Sequence, residues 1–211
     1  MFNLQPSPAP STLAGTSKFL LWIDRVGVFL VCLADQVTIG GPGGEADAPD
    51  IGLMAQLSRK HATLIRSGES YVVHPHAALH LGHKPLHDRA EIYDGNELRL
   101  GTGVRMRFRL PTVMSGSARL EFLSDHRPRQ VVDGIVLMDD TCLLGPQDDH
   151  HIACPSFTAP VLLYRKQGEI WCKSRNELFI NGQFQPGGAA IPPGAIVEGS
   201  DMRFRLESLS K

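Results

Sequence analysis

The sequence predicts an all-β protein made of two tandem antiparallel β-sandwiches, and three observations carry that expectation. First, the stretch Ile92–Leu110 returns as Ile191–Leu206, closing on Met106-Arg107-Phe108-Arg109-Leu110 and again on Met202-Arg203-Phe204-Arg205-Leu206. In both copies Met, Phe and Leu share one face of an extended chain and the two Arg share the other, the alternation of a half-buried strand. Second, 21 Gly and 15 Pro punctuate short runs of Val, Leu and Ile, which favours turns between strands over long helices. Third, the repeat divides the 211 residues into units of roughly 100, enough for each to bury a core.

Residues 1–17, rich in Pro, Ser, Ala and Thr, read as a flexible N-terminal tail without the basic region and apolar core of a secretory signal. The first unit, 18–110, opens with strands over Phe19–Ile23 and Val28–Leu33 around the polar turn Asp24-Arg25-Val26-Gly27, followed by Val37–Gly40. Gly41–Pro49 breaks regular structure. Ala62–Arg66, Ser70–His74 and Glu97–Leu100 are further strands, with turns at Ser67-Gly68 and Asp94-Gly95. A linker at 111–116 is too short to hold the units apart. The second unit, 117–211, repeats the order: Ala118–Leu123, Ile135–Met138, Cys142–Leu144, Val161–Tyr164, Ile170–Lys173, Leu178–Ile180 and the final strand. Asp35–Gly40 matches Asp140–Gly145, and Ser58–Ile65 matches Ser156–Leu163. Each half is expected to close its own sheet with its final strand, placing Phe108 and Phe204 in the two cores.

Composition excludes several classes. With 21 basic and 22 acidic residues the chain has no bulk charge with which to grip nucleic acid or an anionic membrane. The longest apolar stretch, near Val26–Leu33, is far shorter than the roughly 20 residues that span a bilayer. A soluble, cytoplasmic protein is expected. Cys32, Cys142, Cys154 and Cys172 show no C-x-x-C spacing and read as reduced, mostly buried thiols. Trp22 and Trp171 lie in apolar contexts and read as core residues. No Ser-His-Asp, paired-carboxylate, phosphate-loop or dinucleotide pattern supports catalysis, so neither an enzyme nor a cofactor is expected.

Ile39-Gly40, an acidic Gly/Pro-rich loop, Ser58-Arg59-Lys60-His61-Ala62, a hairpin and Asp94-Gly95-Asn96-Glu97-Leu98-Arg99-Leu100-Gly101 follow one another in an order that resembles the forkhead-associated (FHA) domain family. The resemblance covers about Lys18–Leu110, and Ser117–Glu207 mainly through its match to the first half. It implies a β-sandwich that binds phosphothreonine peptides through its strand-connecting loops, hence a protein partner. A phosphate dianion is held by cationic forks, hydroxyls and backbone N–H groups. On the resemblance, Ser58 is the phosphate-contacting Ser, Arg59 and Lys60 supply charge, and His61 braces the loop. Two positions depart from the family: Gly41 stands where it has Arg, and Leu81-Gly82-His83 where it has Asn-Gly. Replacing Gly41 by Arg is one way to restore the missing anchor. In the second half Pro146, Phe157 and Ala159 replace the polar residues, while Asn181-Gly182 fits the family pair and reads as a tight turn.

His74, His76, His80, His83 and His87 crowd one segment, and imidazole is a common metal ligand, but with no Cys and only Asp88 beside them a solvated loop edging the binding surface is favoured over a metal site. Their protonation near an ordinary pKa of about 6.5 would add positive charge beside an anionic ligand. His150-His151, after two Asp, is weighed the same way. The alternative to a phosphopeptide-binding module is a phosphate-independent scaffold or self-association module.

Overall fold

The structure, a computed structural model, describes residues 17–44, 48–112 and 115–209. Up to residue 16, the expected N-terminal tail lies outside the described residues. Every regular element described is a strand. The first half contains β1 (Lys18–Ile23), β2 (Gly27–Cys32), β3 (Gln36–Gly40), β4 (Ile51–Gly52), β5 (Ala62–Ser67), β6 (Ser70–Pro75), β7 (Leu79–Leu81), β8 (Lys84–Leu86), β9 (Ala90–Ile92), β10 (Glu97–Leu100) and β11 (Val104–Arg109). The second half repeats these in order: β12 (Ala118–Phe122), β13 (Gly134–Leu137), β14 (Thr141–Gly145), β15 (Ile152–Ala153), β16 (Val161–Lys166), β17 (Glu169–Ser174), β18 (Phe179–Ile180), β19 (Gln183–Phe184), β20 (Ala189–Ala190), β21 (Ile196–Glu198) and β22 (Arg203–Ser208).

The strands form three sheets. Two of five strands are equivalent, β4-β3-β5-β6-β9 and β15-β14-β16-β17-β20. The third has twelve strands in the order β19-β18-β21-β22-β1-β2-β13-β12-β11-β10-β7-β8 and runs through both halves. This corrects the expectation that each half closes its own sheet. The first half's opening hairpin pairs with the last strand of the chain, Phe19 opposite Ser208 and Ile23 opposite Phe204. The second half's opening hairpin pairs with β11, Met106 opposite Phe122 and Arg109 opposite Arg119. The halves have exchanged hairpins. The short linker explains the choice, because it turns β11 directly back into β12, and consecutive strands pair most readily.

At the centre β2 and β13, the equivalent strands of the two halves, run parallel: Leu30 lies opposite Ile135, Val31 opposite Val136 and Cys32 opposite Leu137. Strand order and parallel pairing together define an approximate two-fold axis in the sheet, along the strands. Such an axis swaps the sheet's faces, so the two five-stranded sheets cover opposite sides. The burial follows suit: Leu30, Cys32, Ile135 and Leu137 enter the first half's core, while Phe29, Val31, Val136 and Met138 enter the second's. Central strands buried on both faces need unbroken apolar runs rather than alternation, which is what Phe29–Cys32 and Ile135–Met138 provide. Further out the sheet is covered on one face, and there the Met-Arg-Phe-Arg-Leu alternation holds, with Met106, Phe108, Met202 and Phe204 buried.

Side chains clasp the junction. Buried Arg66 reaches Asp35 of its own half at 2.5 Å and Asp139, beyond β13, at 3.4 Å. Tyr71 donates its hydroxyl to the Gly116 carbonyl at 2.6 Å. From the other side, Arg165 donates to the Leu33 carbonyl at 3.2 Å. All four cysteines are free and buried, and burial pushes each thiol's pKa up to about 12. The tryptophans depart from expectation. Each is only half-buried, with Arg205 stacked 5.0 Å from the centroid of Trp22 and Lys166 4.3 Å from that of Trp171.

His150 and His151 are buried rather than looped into solvent. His151 accepts the Leu143 N–H on Nδ1 at 3.0 Å, and burial, reinforced by His150 and Arg119, lowers its pKa to about 4. Folding therefore opposes its protonation. Stability is complete above pH 6.5 and is lost as pH falls toward 4, by about 3 kcal/mol at the acid end of that window. His151→Asn, which keeps an acceptor at the Nδ1 position, is expected to flatten that loss when melting temperature is followed from pH 7.5 to 4.5. An unchanged acid limb would assign the loss to other groups.

Candidate functional site

The sequence-predicted residues lie on the connection between β4 and β5, pressed onto the end of β3. Gly41 donates its N–H to the Ser58 carbonyl at 3.0 Å, and His61 donates its N–H to the Ile39 carbonyl at 2.8 Å. The fit requires glycine: a Cβ on Gly41 would lie 2.5 Å from the Leu57 carbonyl oxygen, and one on Gly40 would overlap the Arg59 carbonyl. Replacing Gly41 by Arg would therefore displace the very loop it was meant to assist, so that route to a restored anchor is closed by the geometry.

Ser58, Arg59 and Lys60 are exposed along this bend, whereas His61 is 3% exposed. The His61 ring donates from Nε2 to the Ala78 carbonyl at 2.8 Å, and its own carbonyl accepts from the His76 and Ala77 N–H groups at 2.9 and 3.2 Å. It thereby ties the start of β5 to the segment between β6 and β7. His76 Nε2 lies 2.8 Å from Thr63 Oγ1, and its ring is 4.5 Å from that of His74. The His76 pKa falls below the ordinary imidazole value, through desolvation first and then the positive charges of Lys60, His74 and Arg89. The charges that oppose its protonation belong to three chain segments, those of Lys60, His74 and Arg89. The depression also corrects the expected pH range, because His76 charges only below the usual value near 6.5.

The histidine-rich segment is not a loop. His80 lies on β7, His83 in the turn and His87 just past β8, in the hairpin that ends the twelve-stranded sheet. Among the described residues, no three His, Cys, Asp or Glu side chains converge as a metal site would require. Gly82, at φ 61°, opens the β7–β8 turn where the second half has Asn181 and Gly182, at φ 51° and 77°. Two successive positive φ values make a tight type I′ turn. Asn181 also accepts the Ile196 N–H at 3.0 Å, bracing the strand beside it. In the second half Phe157, the counterpart of Arg59, is buried in the core, and Ser156 is exposed without the basic neighbours of the first half.

Sequence reasoning missed Arg89 and a further neighbour. The β12–β13 connection, residues 123–133, lies against the start of the β4–β5 loop: Met54 donates its N–H to the Arg127 carbonyl at 2.9 Å, and Leu53 bridges to Pro128. The available signal was length, because the equivalent β1–β2 connection holds only Asp24, Arg25 and Val26.

No family model matches the chain, and no curated protein does. Among solved structures the chain is similar to one titled "Rv0020c_FHA Structure", at 19% identity and a TM-score of 0.29, over 46% of this chain and 91% of that chain. No helix among the described residues is long and apolar enough to cross a membrane.

Proposed function

We propose that this protein is a non-catalytic interaction module, resembling the FHA family, whose first half binds a threonine-phosphorylated partner protein through Ser58, Arg59 and Lys60. The observation that carries the reading is the exposed run Ser58-Arg59-Lys60 on a loop seated against Gly40 and Gly41 and braced by His61. A phosphate dianion placed there meets a hydroxyl and two cations, each charge-assisted contact contributing about 1.5–3 kcal/mol. His61 braces the loop through Ala78 rather than acting as a base. The second half takes no phosphate and serves by completing the sheet of the first. A cytoplasmic setting belongs to the same reading.

The test is calorimetry with a phosphothreonine peptide captured from a library, against its dephosphorylated form. Ser58→Ala and Lys60→Ala are each expected to weaken binding about tenfold to a hundredfold. Capture that is indifferent to phosphate and to both substitutions would favour a phosphate-independent scaffold.

A further inference from the structure

The duplication makes the unequal hairpin connections informative. In the first half β1 turns into β2 through three residues, whereas in the second β12 reaches β13 through residues 123–133. Hairpin exchange carries this longer connection across to the first half. There it is held at two points: Pro128 is buried against Leu53, and Val132 is buried in the first half's core. Between those anchors Arg129, Gln130 and Val131 stand exposed, Val131 at 79%.

Internal bonds stiffen the approach to the tip. Arg127 donates to the Ser124 and His126 carbonyls at 2.5 and 3.1 Å and stacks 4.3 Å from the centroid of the Phe122 ring. Ser124 accepts the Arg105 N–H at 3.1 Å. Arg127 is thus spent on the loop's own shape. Arg129 has no hydrogen bond or ion pair among the described residues, so its guanidinium is available. Beside the loop, bonded to it through Arg127, Met54 is 56% exposed. An unspent guanidinium with two exposed apolar side chains forms a surface for a peptide bearing an acidic and an apolar residue. Three residues of chain lie between Met54 and Ser58, a span of at most about 14 Å, which an extended peptide covers in roughly four or five residues.

We infer that the connection 123–133, delivered by the exchanged hairpin, is a second wall of the first half's recognition surface, where Arg129, Val131 and Met54 select acidic and apolar residues flanking the phosphothreonine. The inference rests on the phosphothreonine reading above. It gives the second half a direct part in recognition.

The test uses the full chain and a phosphothreonine peptide library with randomised flanks, with a dephosphorylated library as control. Wild type is expected to enrich acidic and apolar flanking residues. The double substitution Arg129→Glu and Val131→Ser, at exposed positions, is expected to retain phosphate-dependent capture, lose that preference, and bind the best wild-type peptide about tenfold or more weakly. Ser58→Ala should instead lower capture of every peptide. Unchanged flanking preference and affinity in the double variant would overturn the inference and leave the phosphothreonine reading standing. If wild type shows no phosphate-dependent capture, both fall.

Discussion

Cut within the linker, residues 1–112 and 113–211 are each expected to yield no folded monomer, and to form a 1:1 complex when co-expressed. The hairpin β1–β2 places Phe19, Leu21, Ile23, Phe29 and Val31 in the second half's core. Burying each such side chain is worth about 1.5–3 kcal/mol, so together they are comparable to the roughly 5–15 kcal/mol that holds a domain folded. The debt is mutual, since Ala118, Leu120, Ile135 and Leu137 fill the first half's core. Light scattering with circular dichroism reads the outcome. A folded monomer of either fragment would show that the hairpins are dispensable, and would establish 18–110 and 117–211 as self-sufficient domains.

Phe108→Ala is expected to cost about 3–5 kcal/mol in urea denaturation, and Phe204→Ala a similar amount. Phe108 is fully buried, tilted against Tyr71 with ring centroids 5.1 Å apart, and Tyr71 in turn holds Gly116 at the end of the linker. Alanine leaves a cavity that this hydrogen-bonded surround is poorly placed to refill. Phe204 occupies the equivalent place opposite Ile23. A measured loss under about 1 kcal/mol, the range of surface substitutions, would contradict the packing described.

The final strands were legible because Met-Arg-Phe-Arg-Leu states which face is buried. It does not state which strand lies alongside, and so the hairpin exchange was hidden. The relevant signal was elsewhere: Phe29-Leu30-Val31-Cys32 and Ile135-Val136-Leu137-Met138 are apolar at every position, which a strand covered on one face does not require. The two- and three-residue strands, such as β4 and β8, were not legible, because so few residues carry no period and Pro85 argues against a strand. At the site, Ser58–His61 stood out through its order with the neighbouring motifs. Arg89 is a lone charge in a polar segment, and only the fold shows that its field reaches His76. The buried pair His150-His151 looked polar beside Asp148-Asp149, since sequence cannot show which way a side chain turns.

Pairing the first strand with the last has a kinetic consequence. Residues 18–32 are made before the rest of the fold and can pair with each other, yet the outer edge of β1 has no partner until Arg203–Ser208 is made. At about 5–20 residues per second, the wait is roughly 10–35 s. Throughout it, the hairpin face carrying Phe19, Leu21, Ile23, Phe29 and Val31 lacks its complete core. The loop closed by β1 and β22 spans nearly the whole chain, so this contact is the most entropically distant in the protein and a natural last step of folding. Until it forms, the unpaired hairpin is equally suited to the same site on a neighbouring chain, which makes slow folding at high concentration a route to entangled oligomers.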